Sequence, residues 1–379
     1  MLVGTRHRCP VLAAACLWAV AGCGRHATPP PPPPAPAPVV AAPVPPPSPT
    51  PPDVTPAAGA GSVPILCYHR VADAPALDTV VTTGNFEQQM TWLRDNGYSV
   101  IPLAQLVEAL EKHTPLPAKA VVLTFDDGFR TDYDNVFPVL KRFGYPATLF
   151  IYTIWVGAAS GADTWDGLRQ MLASGLIDVQ SHTVTHANLS QVSNRAGGGE
   201  RLARELTLSK STLESKLGQP VTILAYPYGA CDQTVEAAVK AAGYHCALTV
   251  NGDCAGPGDD LLRLGRRMVF HKDTLQTFAA LRVGLERLAA TDLQPPDGSA
   301  VSQTQPTIGA LLPGQAAIDT LSLRLDGVAL KRTFDHASRR LSAQPAKPLA
   351  AGRHRVELSV SAGGQQLHKS WAFRVEPGG

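Results

Sequence analysis

Short apolar runs alternate with segments of helical spacing from residue 63 to about residue 290. Short apolar runs bounded by turn residues are typical of buried strands, whereas apolar residues three and four positions apart indicate amphipathic helices. The pattern predicts strands over residues 63–68, 120–125, 147–152, 177–180, 221–225 and 246–250. It predicts helices over residues 86–96, 103–112, 136–143, 165–174, 200–217 and 234–242. This alternation favours an α/β fold, with a parallel sheet or barrel covered by helices.

The segment from residue 291 to residue 379 has a different pattern. Apolar and polar residues alternate strictly over residues 321–325, and Asp326-Gly327 follows as a hairpin signal. Two further alternating runs contain Val356, Leu358 and Val360, then Trp371, Phe373 and Val375. Short alternating strands of this kind predict a second domain, a small all-β sandwich of immunoglobulin-like type.

The first 62 residues contain targeting and linker signals. A basic stretch at residues 6–8 precedes a short apolar stretch at residues 11–20, which is too short to span a bilayer comfortably. The sequence VAGC at residues 20–23 resembles the lipobox of bacterial lipoproteins, which implies a signal peptide over residues 1–22 and lipidation of Cys23. An ordinary secretory signal is the rival interpretation. Residues 29–56 are mostly Pro and Ala, so residues 23–62 are expected to form an extended tether.

A lipid on Cys23 would bring the chain to a membrane. Gly24 is not the Asp that typically retains lipoproteins at the inner membrane. We therefore expect the periplasmic face of the outer membrane, with the inner membrane and the cell surface as alternatives.

Composition narrows the choice of partners. The 379 residues are 44% hydrophobic and carry a formal net charge of +2, which gives no reason to expect a nucleic-acid partner.

Outside the targeting segment, the cysteines are Cys67, Cys231, Cys246 and Cys254. In an oxidising compartment these thiols could form one or two disulfides, and the sequence does not choose among the pairings.

Two adjacent carboxylates, Asp126 and Asp127, end the apolar run VVLTF. Charged groups beside a buried strand are costly unless they are paired or bind a metal. Two histidines, His182 and His186, lie four positions apart after the strand predicted at 177–180. If the chain becomes helical there, both rings point the same way. Two histidines and one carboxylate form a typical catalytic metal site, and the second carboxylate can act as a base.

The motifs carry a family resemblance. TFDDG at 124–128 and SHTVTH at 181–186 resemble the first two motifs of the polysaccharide deacetylases, carbohydrate esterase family four, also called the NodB-homology family. PILCYHRV at 64–71 and TWDGLRQMLASG at 164–175 resemble the branch of periplasmic poly-N-acetylglucosamine deacetylases of biofilm export. The resemblance spans about residues 63–285. It implies a distorted (β/α) barrel, which we assign to residues 63–290, and N-deacetylation of an N-acetylhexosamine polysaccharide.

The resemblance also implies roles for individual residues. Asp126 corresponds to the general base, and Asp127, His182 and His186 correspond to the ligands of a divalent metal, most often Zn²⁺, with Co²⁺, Ni²⁺ or Fe²⁺ as alternatives. AYPYG at 225–229 corresponds to the third motif, in which the backbone N–H of Tyr228 would stabilise the oxyanion.

This chain departs from the family pattern at two motifs. Ala225 stands where the third motif usually has an Arg that pairs with the base, and the fourth motif is not recognisable. Nearby arginines that could supply the cation are Arg263, Arg266 and Arg267. For the general acid the resemblance favours His69 in CYHRV, with His271 in MVFH as the alternative.

Other functions stay open at this stage. The chain could be a glycan-binding lipoprotein of weak or no activity, and the polymer could be poly-β-1,6-N-acetylglucosamine, another exported polymer, peptidoglycan or a chitin oligomer. Two histidines and a carboxylate also form the facial triad of non-haem iron oxygenases, but the adjacent Asp126 favours hydrolysis. The exopolysaccharide export machinery is an expected partner of an enzyme of this branch.

Overall fold

A computed structural model describes residues 62–73, 77–283, 286–314, 318–362 and 365–376. The predicted signal peptide (1–22), the predicted lipidation site Cys23 and the predicted tether up to residue 61 lie outside the described residues. Within the described residues, no helix combines the length and the apolar character needed to cross a bilayer.

The first part of the chain folds around an eight-stranded parallel sheet. A two-stranded ribbon, β2 with β3, stands beside it. In chain order the strands are β1 (Ile65–Tyr68), β2 (Arg70–Val71), β3 (Val80–Val81), β4 (Ser99–Val100), β5 (Ala120–Asp126), β6 (Ala147–Ile151), β7 (Ile177–Ser181), β8 (Ile223–Ala225), β9 (Cys246–Leu248) and β10 (Arg267–Met268). The order across the sheet is β10-β1-β5-β6-β7-β8-β9, with β4 beside the start of β5. Strand β5 is thus central, and its carboxyl end lies between those of β1 and β6.

The helices connect successive strands and pack on the sheet. They are α1 (Thr83–Asp95), α2 (Leu103–Lys112), α3 (Phe137–Phe143), α4 (Trp165–Ala173), α5 (Leu189–Ser193), α6 (Gly198–Leu217), α7 (Gln233–Ala241) and α8 (Leu275–Thr277). Local sequence sets several ends: the side chains of Thr82, Thr164 and Asp232 accept hydrogen bonds from the first turns of α1, α4 and α7. Gly144 and Gly218 end α3 and α6 in left-handed conformation.

The C-terminal part forms two facing sheets with a core of their own. The strands are β11 (Glu286–Arg287), β12 (Thr291–Gln294), β13 (Ala300–Val301), β14 (Ile308–Leu311), β15 (Thr320–Leu325), β16 (Val328–Ala329), β17 (Arg332–Asp335), β18 (Arg340–Ala343), β19 (Gly352–Ala362) and β20 (Gln365–Val375). One sheet has the order β11-β20-β19-β15-β16 with β13 beside β20, and the other has the order β12-β14-β18-β17. Trp371, Phe373 and Leu341 are buried in this core.

The outer face of the β19–β20 pair lies against the loop that follows β9. Arg355 donates to the carbonyl oxygen of Asn251 at 2.7 Å, and Ser370 donates to the same oxygen. Lys369 Nζ lies 2.7 Å from Asp253 Oδ2. Polar contacts therefore hold the two C-terminal sheets, which together form the β-domain, beside the barrel loops.

The predicted fold class is confirmed: a helix-covered parallel half-barrel precedes additional β-sheets. One local expectation is wrong. The segment after β7 is a loop rather than a helix, and Thr183 and His186 have positive φ values of +73° and +59°. Cys67, Cys231, Cys246 and Cys254 form no disulfide in the described part of the chain.

Candidate active site

Asp126 and Asp127 lie at the carboxyl end of the central strand β5. Asp126 is the last residue of the strand and is 2% exposed. Asp127 and Gly128 follow with φ values of +79° and +74°, so the chain turns sharply at this point. The turn brings both carboxylates to one site, although neighbouring residues of a straight strand would point to opposite faces.

Arg266 supplies the cation that the third motif lacks. Its Nη1 and Nη2 atoms donate to Oδ1 and Oδ2 of Asp126 at 2.6 and 2.7 Å. Its Nε donates to the carbonyl oxygen of Thr249 at 3.2 Å, and the whole side chain is buried. Burial alone would raise the pKa of Asp126, but the guanidinium of Arg266 and the nearby His182 hold that pKa well below its usual range.

His182 is fixed by a backbone carbonyl. Its Nδ1 lies 2.7 Å from the carbonyl oxygen of Ala225, so this nitrogen is the donor and Nε2 is left as an acceptor. Burial lowers the pKa of His182 to about 3, and the ring is therefore neutral at pH 7. Its Nε2 lies 3.7 Å from Asp127 Oδ1 and 3.9 Å from Asp126 Oδ2.

His186 completes a set of three potential ligands. Its Nε2 lies 3.4 Å from Asp127 Oδ1, and burial lowers the pKa of its ring. One potential ligand atom from each of Asp127, His182 and His186 lies within 4.8 Å of the other two. Both imidazoles and the Asp127 carboxylate can thus bind one common metal ion.

A divalent cation fits this set of residues. Asp127 Oδ1 is buried and has no hydrogen-bond donor among the described residues. Burial, and then the charge of Asp126, raises the pKa of Asp127 to about 7, so its negative charge is uncompensated in the metal-free protein. A carboxylate and two neutral imidazoles form a donor set typical of catalytic zinc sites with open positions.

The third motif forms one wall of this site. Residues Pro227–Gly229 make a single 3₁₀ turn after β8, and Tyr228 has a φ of +61°. The Tyr228 ring is exposed, and its centroid lies 4.7 Å from that of His186. Gly229 is required by close packing, because a Cβ there would lie 2.7 Å from the backbone nitrogen of Val250.

His69 and Cys67 approach Asp126 from the end of β1. Potential ligand atoms of Cys67, His69 and Asp126 lie within 4.8 Å of one another, and the Cys67 thiol donates to Asp126 Oδ2 at 3.5 Å. His69 Nδ1 is buried and has no partner among the described residues. Burial lowers the pKa of His69. The imidazole is therefore neutral at pH 7 and must gain a proton before it can donate one.

The other candidates point elsewhere. Arg267, the first residue of β10, donates to the carbonyl oxygens of Gly252 and Arg282. His271 contacts the backbone of Asp78 and Val80. The site unites Asp126, Asp127, His182, His186, His69 and Arg266, and the ring of Tyr228 lies beside His186. The contributions of the Cys67 thiol and the Ala225 carbonyl were not foreseen, since neither group has a motif signal.

Comparison with known proteins agrees with this geometry. Residues 113–247 match the polysaccharide deacetylase family model. The chain is 30% identical over 196 residues to the poly-β-1,6-N-acetyl-D-glucosamine N-deacetylase of Staphylococcus epidermidis, a match covering 50% of this chain and 68% of that protein. The chain belongs to the polysaccharide deacetylase family and is a hydrolase of carbon–nitrogen bonds other than peptide bonds. This family is generally dependent on a divalent metal.

Further relatives support the same assignment. The poly-β-1,6-N-acetyl-D-glucosamine N-deacetylase of Escherichia coli K12 is 28% identical over 252 residues, which are 56% of this chain but 37% of that protein. The structure of IcaB from Ammonifex degensii superposes with a TM-score of 0.54 at 30% identity, covering 59% of this chain and 97% of IcaB. A polysaccharide deacetylase of Bacillus cereus, BC0361, gives a TM-score of 0.51 at 32% identity, covering 58% of this chain and 69% of that one.

Proposed function

We propose that this protein removes N-acetyl groups from an N-acetylhexosamine polysaccharide in a metal-dependent hydrolysis that releases acetate. The observation that carries the proposal is the ionised Asp126, held by Arg266 beside the Asp127–His182–His186 set. A base next to a metal site suits hydrolysis of an amide, whereas an iron oxygenase has no need of it.

Asp127, His182 and His186 would hold the metal, with Zn²⁺ as the first choice and Co²⁺, Ni²⁺ or Fe²⁺ as alternatives. When bound, such an ion polarises a carbonyl group and lowers the pKa of a coordinated water. Asp126 accepts a proton from the attacking water. Arg266 orients the Asp126 carboxylate and keeps it ionised, at the cost of some basicity.

Two further groups would act on the acetamide oxygen and on the leaving amine. The backbone N–H of Tyr228 would stabilise negative charge on the acetamide oxygen, because Tyr228 borders the site beside His186. His69 would protonate the leaving amine. Its neutral state and its position near Asp126 support a relay in which His69 gains the proton during the reaction and then passes it on.

The names of the relatives favour poly-β-1,6-N-acetylglucosamine or a similar exported polymer as substrate. Peptidoglycan and chitin oligomers are the alternative substrates. For the location we propose a lipid anchor at Cys23 on the periplasmic face of the outer membrane. There the enzyme would act on polymer delivered by the export machinery or on the cell wall.

The test is acetate release by the purified protein from poly-N-acetylglucosamine, chitin oligomers and peptidoglycan, each with Zn²⁺ and with a chelator. Release that requires the metal supports the proposal, and the polymer with the highest kcat/KM identifies the substrate. Binding of these polymers without acetate release would instead favour a glycan-binding lipoprotein. Oxygen consumption with ferrous iron would favour the oxygenase.

A further inference from the structure

A second cavity lies between the barrel loops and the β-domain. Its volume is about 190 Å³, several times the roughly 30 Å³ share of one water molecule. On the barrel side, residues from three loops line it, among them Asn188, Ala230 and Asn251. On the other side it is lined by Arg353 of β19 and by Ala372 and Arg374 of β20.

Two residues on the barrel side of this cavity lie close in sequence to the candidate active site. Asn188 follows the metal-ligand candidate His186 by two residues, and Ala230 follows Tyr228 by two residues. Two residues of extended chain span at most about 7 Å. A polysaccharide chain bound at the metal site therefore has the cavity within reach.

Arg353 and Arg374 are the unusual feature of the cavity. They are directly opposite each other in the antiparallel ladder of β19 and β20, and both line the cavity. Like charges in directly opposed positions destabilise a sheet. No carboxylate of the described residues forms an ion pair with either guanidinium. Arg353 is exposed, so the cavity opens to solvent on that side.

The carboxylates that line the cavity are already engaged. Asp297 accepts a hydrogen bond from the Ala372 N–H at 2.8 Å, and it lies 3.4 Å from Arg263 Nη1. Asp232 accepts from the Val235 N–H at 3.0 Å and caps α7. Three arginines, Arg263, Arg353 and Arg374, line the cavity against these two carboxylates, so the net charge of the lining is positive.

We infer that this cavity binds a carboxylate carried by the polysaccharide, with Arg353 and Arg374 as its ligands. Arginine is suited to this because its planar fork matches a carboxylate. The side-chain amides of Asn188, Gln191 and Asn251 line the same cavity and can hydrogen-bond sugar hydroxyls. The inference rests on the proposed function and favours its peptidoglycan alternative, a polymer that carries carboxylates, over the neutral poly-β-1,6-N-acetylglucosamine.

Two oligosaccharides of equal length test the inference by calorimetry with the full chain. One alternates β-1,4-linked N-acetylglucosamine and N-acetylmuramic acid and carries carboxylates; the other is the neutral chitin oligomer. We expect the acidic oligosaccharide to bind at least about tenfold more tightly, because hydrogen bonds to charged groups contribute that much. Added salt should reduce this preference. Equal affinities would overturn the inference. Equilibrium binding requires no acetate release, so failure of the proposed chemistry would be seen separately.

Variants assign the preference to the two arginines. Arg353→Gln with Arg374→Gln should abolish the preference for the acidic oligosaccharide and should raise the Tm of the ligand-free protein, because the like charges are removed. Arg353→Lys should keep part of the preference. Arg332→Gln, on exposed strand β17 of the other sheet, is the matched control and should change neither quantity. A preference that survives the double substitution would contradict the inference. So would tighter binding of inorganic phosphate or acetate than of the acidic oligosaccharide.

Discussion

The guanidinium of Arg266 holds the carboxylate of Asp126 through two parallel hydrogen bonds of 2.6 and 2.7 Å. Both side chains are buried, and 140 positions of sequence separate them. Strand β10, which follows Arg266, pairs with β1, and β1 pairs with β5, so Arg266 is brought to the carboxyl end of β5. The clamp keeps Asp126 charged and fixed in orientation beside the metal-ligand candidates.

Removing the guanidinium should destabilise the protein strongly. Arg266→Met leaves Asp126 as an unpaired buried carboxylate, and breaking a buried pair in this way costs about 3–5 kcal/mol. The free energy of unfolding, measured with urea at pH 7, should fall by that amount. The deficit should shrink at pH 5, because without Arg266 the pKa of Asp126 rises and the carboxyl becomes protonated.

The double variant Arg266→Met/Asp126→Asn provides the control for this first prediction. It removes the charge along with its partner, so much of the lost stability should return. A double variant as unstable as Arg266→Met alone would mean that Arg266 stabilises the fold by packing and not through Asp126.

Asp127→Asn should have opposite effects on the metal-free and the metal-loaded protein. In the metal-free protein the pKa of Asp127 is raised from 3.8 to about 7, so its charged form costs stability that grows as the pH rises through this range. In chelator at pH 8 the Asn variant should therefore melt at a higher temperature than the wild type, and at pH 4 the difference should vanish. Added Zn²⁺ should raise the Tm of the wild type alone.

Asn is a suitable replacement for Asp127, because it adopts the left-handed conformation as readily as Asp. A Zn²⁺-dependent rise in Tm that persists in Asp127→Asn would contradict the role of Asp127 as a metal ligand.

Gly229→Ala should damage both stability and activity. A Cβ at this position would lie 2.7 Å from the backbone nitrogen of Val250, and φ is +61°. Gly175→Ala is the matched control, since Gly175 has a φ of +72° but open space around its Cα. We expect Gly175→Ala to cost about 1 kcal/mol from backbone conformation, and Gly229→Ala to cost about 1–3 kcal/mol more from overpacking.

The same Gly229 substitution should lower kcat, because the adjacent Tyr228 N–H would move. Steady-state kinetics at a temperature where both variants are folded would measure this. Equal kcat values for Gly229→Ala and Gly175→Ala would show that catalysis does not depend on where the third motif places the Tyr228 N–H.

His69→Gln should lower kcat by about 10²-fold to 10⁴-fold, the usual contribution of general acid–base catalysis. Zn²⁺ affinity should be unchanged, because His69 lies with Asp126 and Cys67 and outside the Asp127–His182–His186 set. His271→Gln serves as the control, since His271 contacts the backbone of Val80, and it should retain activity. If the loss of activity follows His271 instead, the assignment of the general acid is wrong.

Local patterns predicted the barrel segments well. The helix 103–112 agrees residue for residue with Leu103–Lys112, because its apolar spacing is unambiguous. Two-residue strands such as Ser99–Val100 and Arg267–Met268 were not predicted, because a strand of two residues shows no periodicity and exists through its pairing alone. The four residues of the two strongest motifs are brought together, since both motifs follow parallel strands at one edge of the sheet.

Other features of the site depend on contacts that a linear pattern does not contain. Three arginines between 263 and 267 were candidates. The fold places Arg266, the residue before β10, against Asp126, whereas Arg267 donates to the carbonyl oxygen of Gly252. The loop of His186 has positive φ values where a helix was expected, because Glu205 of α6 accepts hydrogen bonds from the backbone N–H groups of Val184 and Thr185.

The most direct test of the account compares acetate release and bound metal in the wild type and Asp126→Asn. Both proteins should bind one Zn²⁺ per chain, measured by elemental analysis, because Asp126 is a base and not a ligand. The wild type should release acetate from its preferred polymer, and Asp126→Asn should lose nearly all of this activity. A zinc-loaded Asp126→Asn protein that deacetylates as fast as the wild type would contradict the assignment of Asp126 as the base.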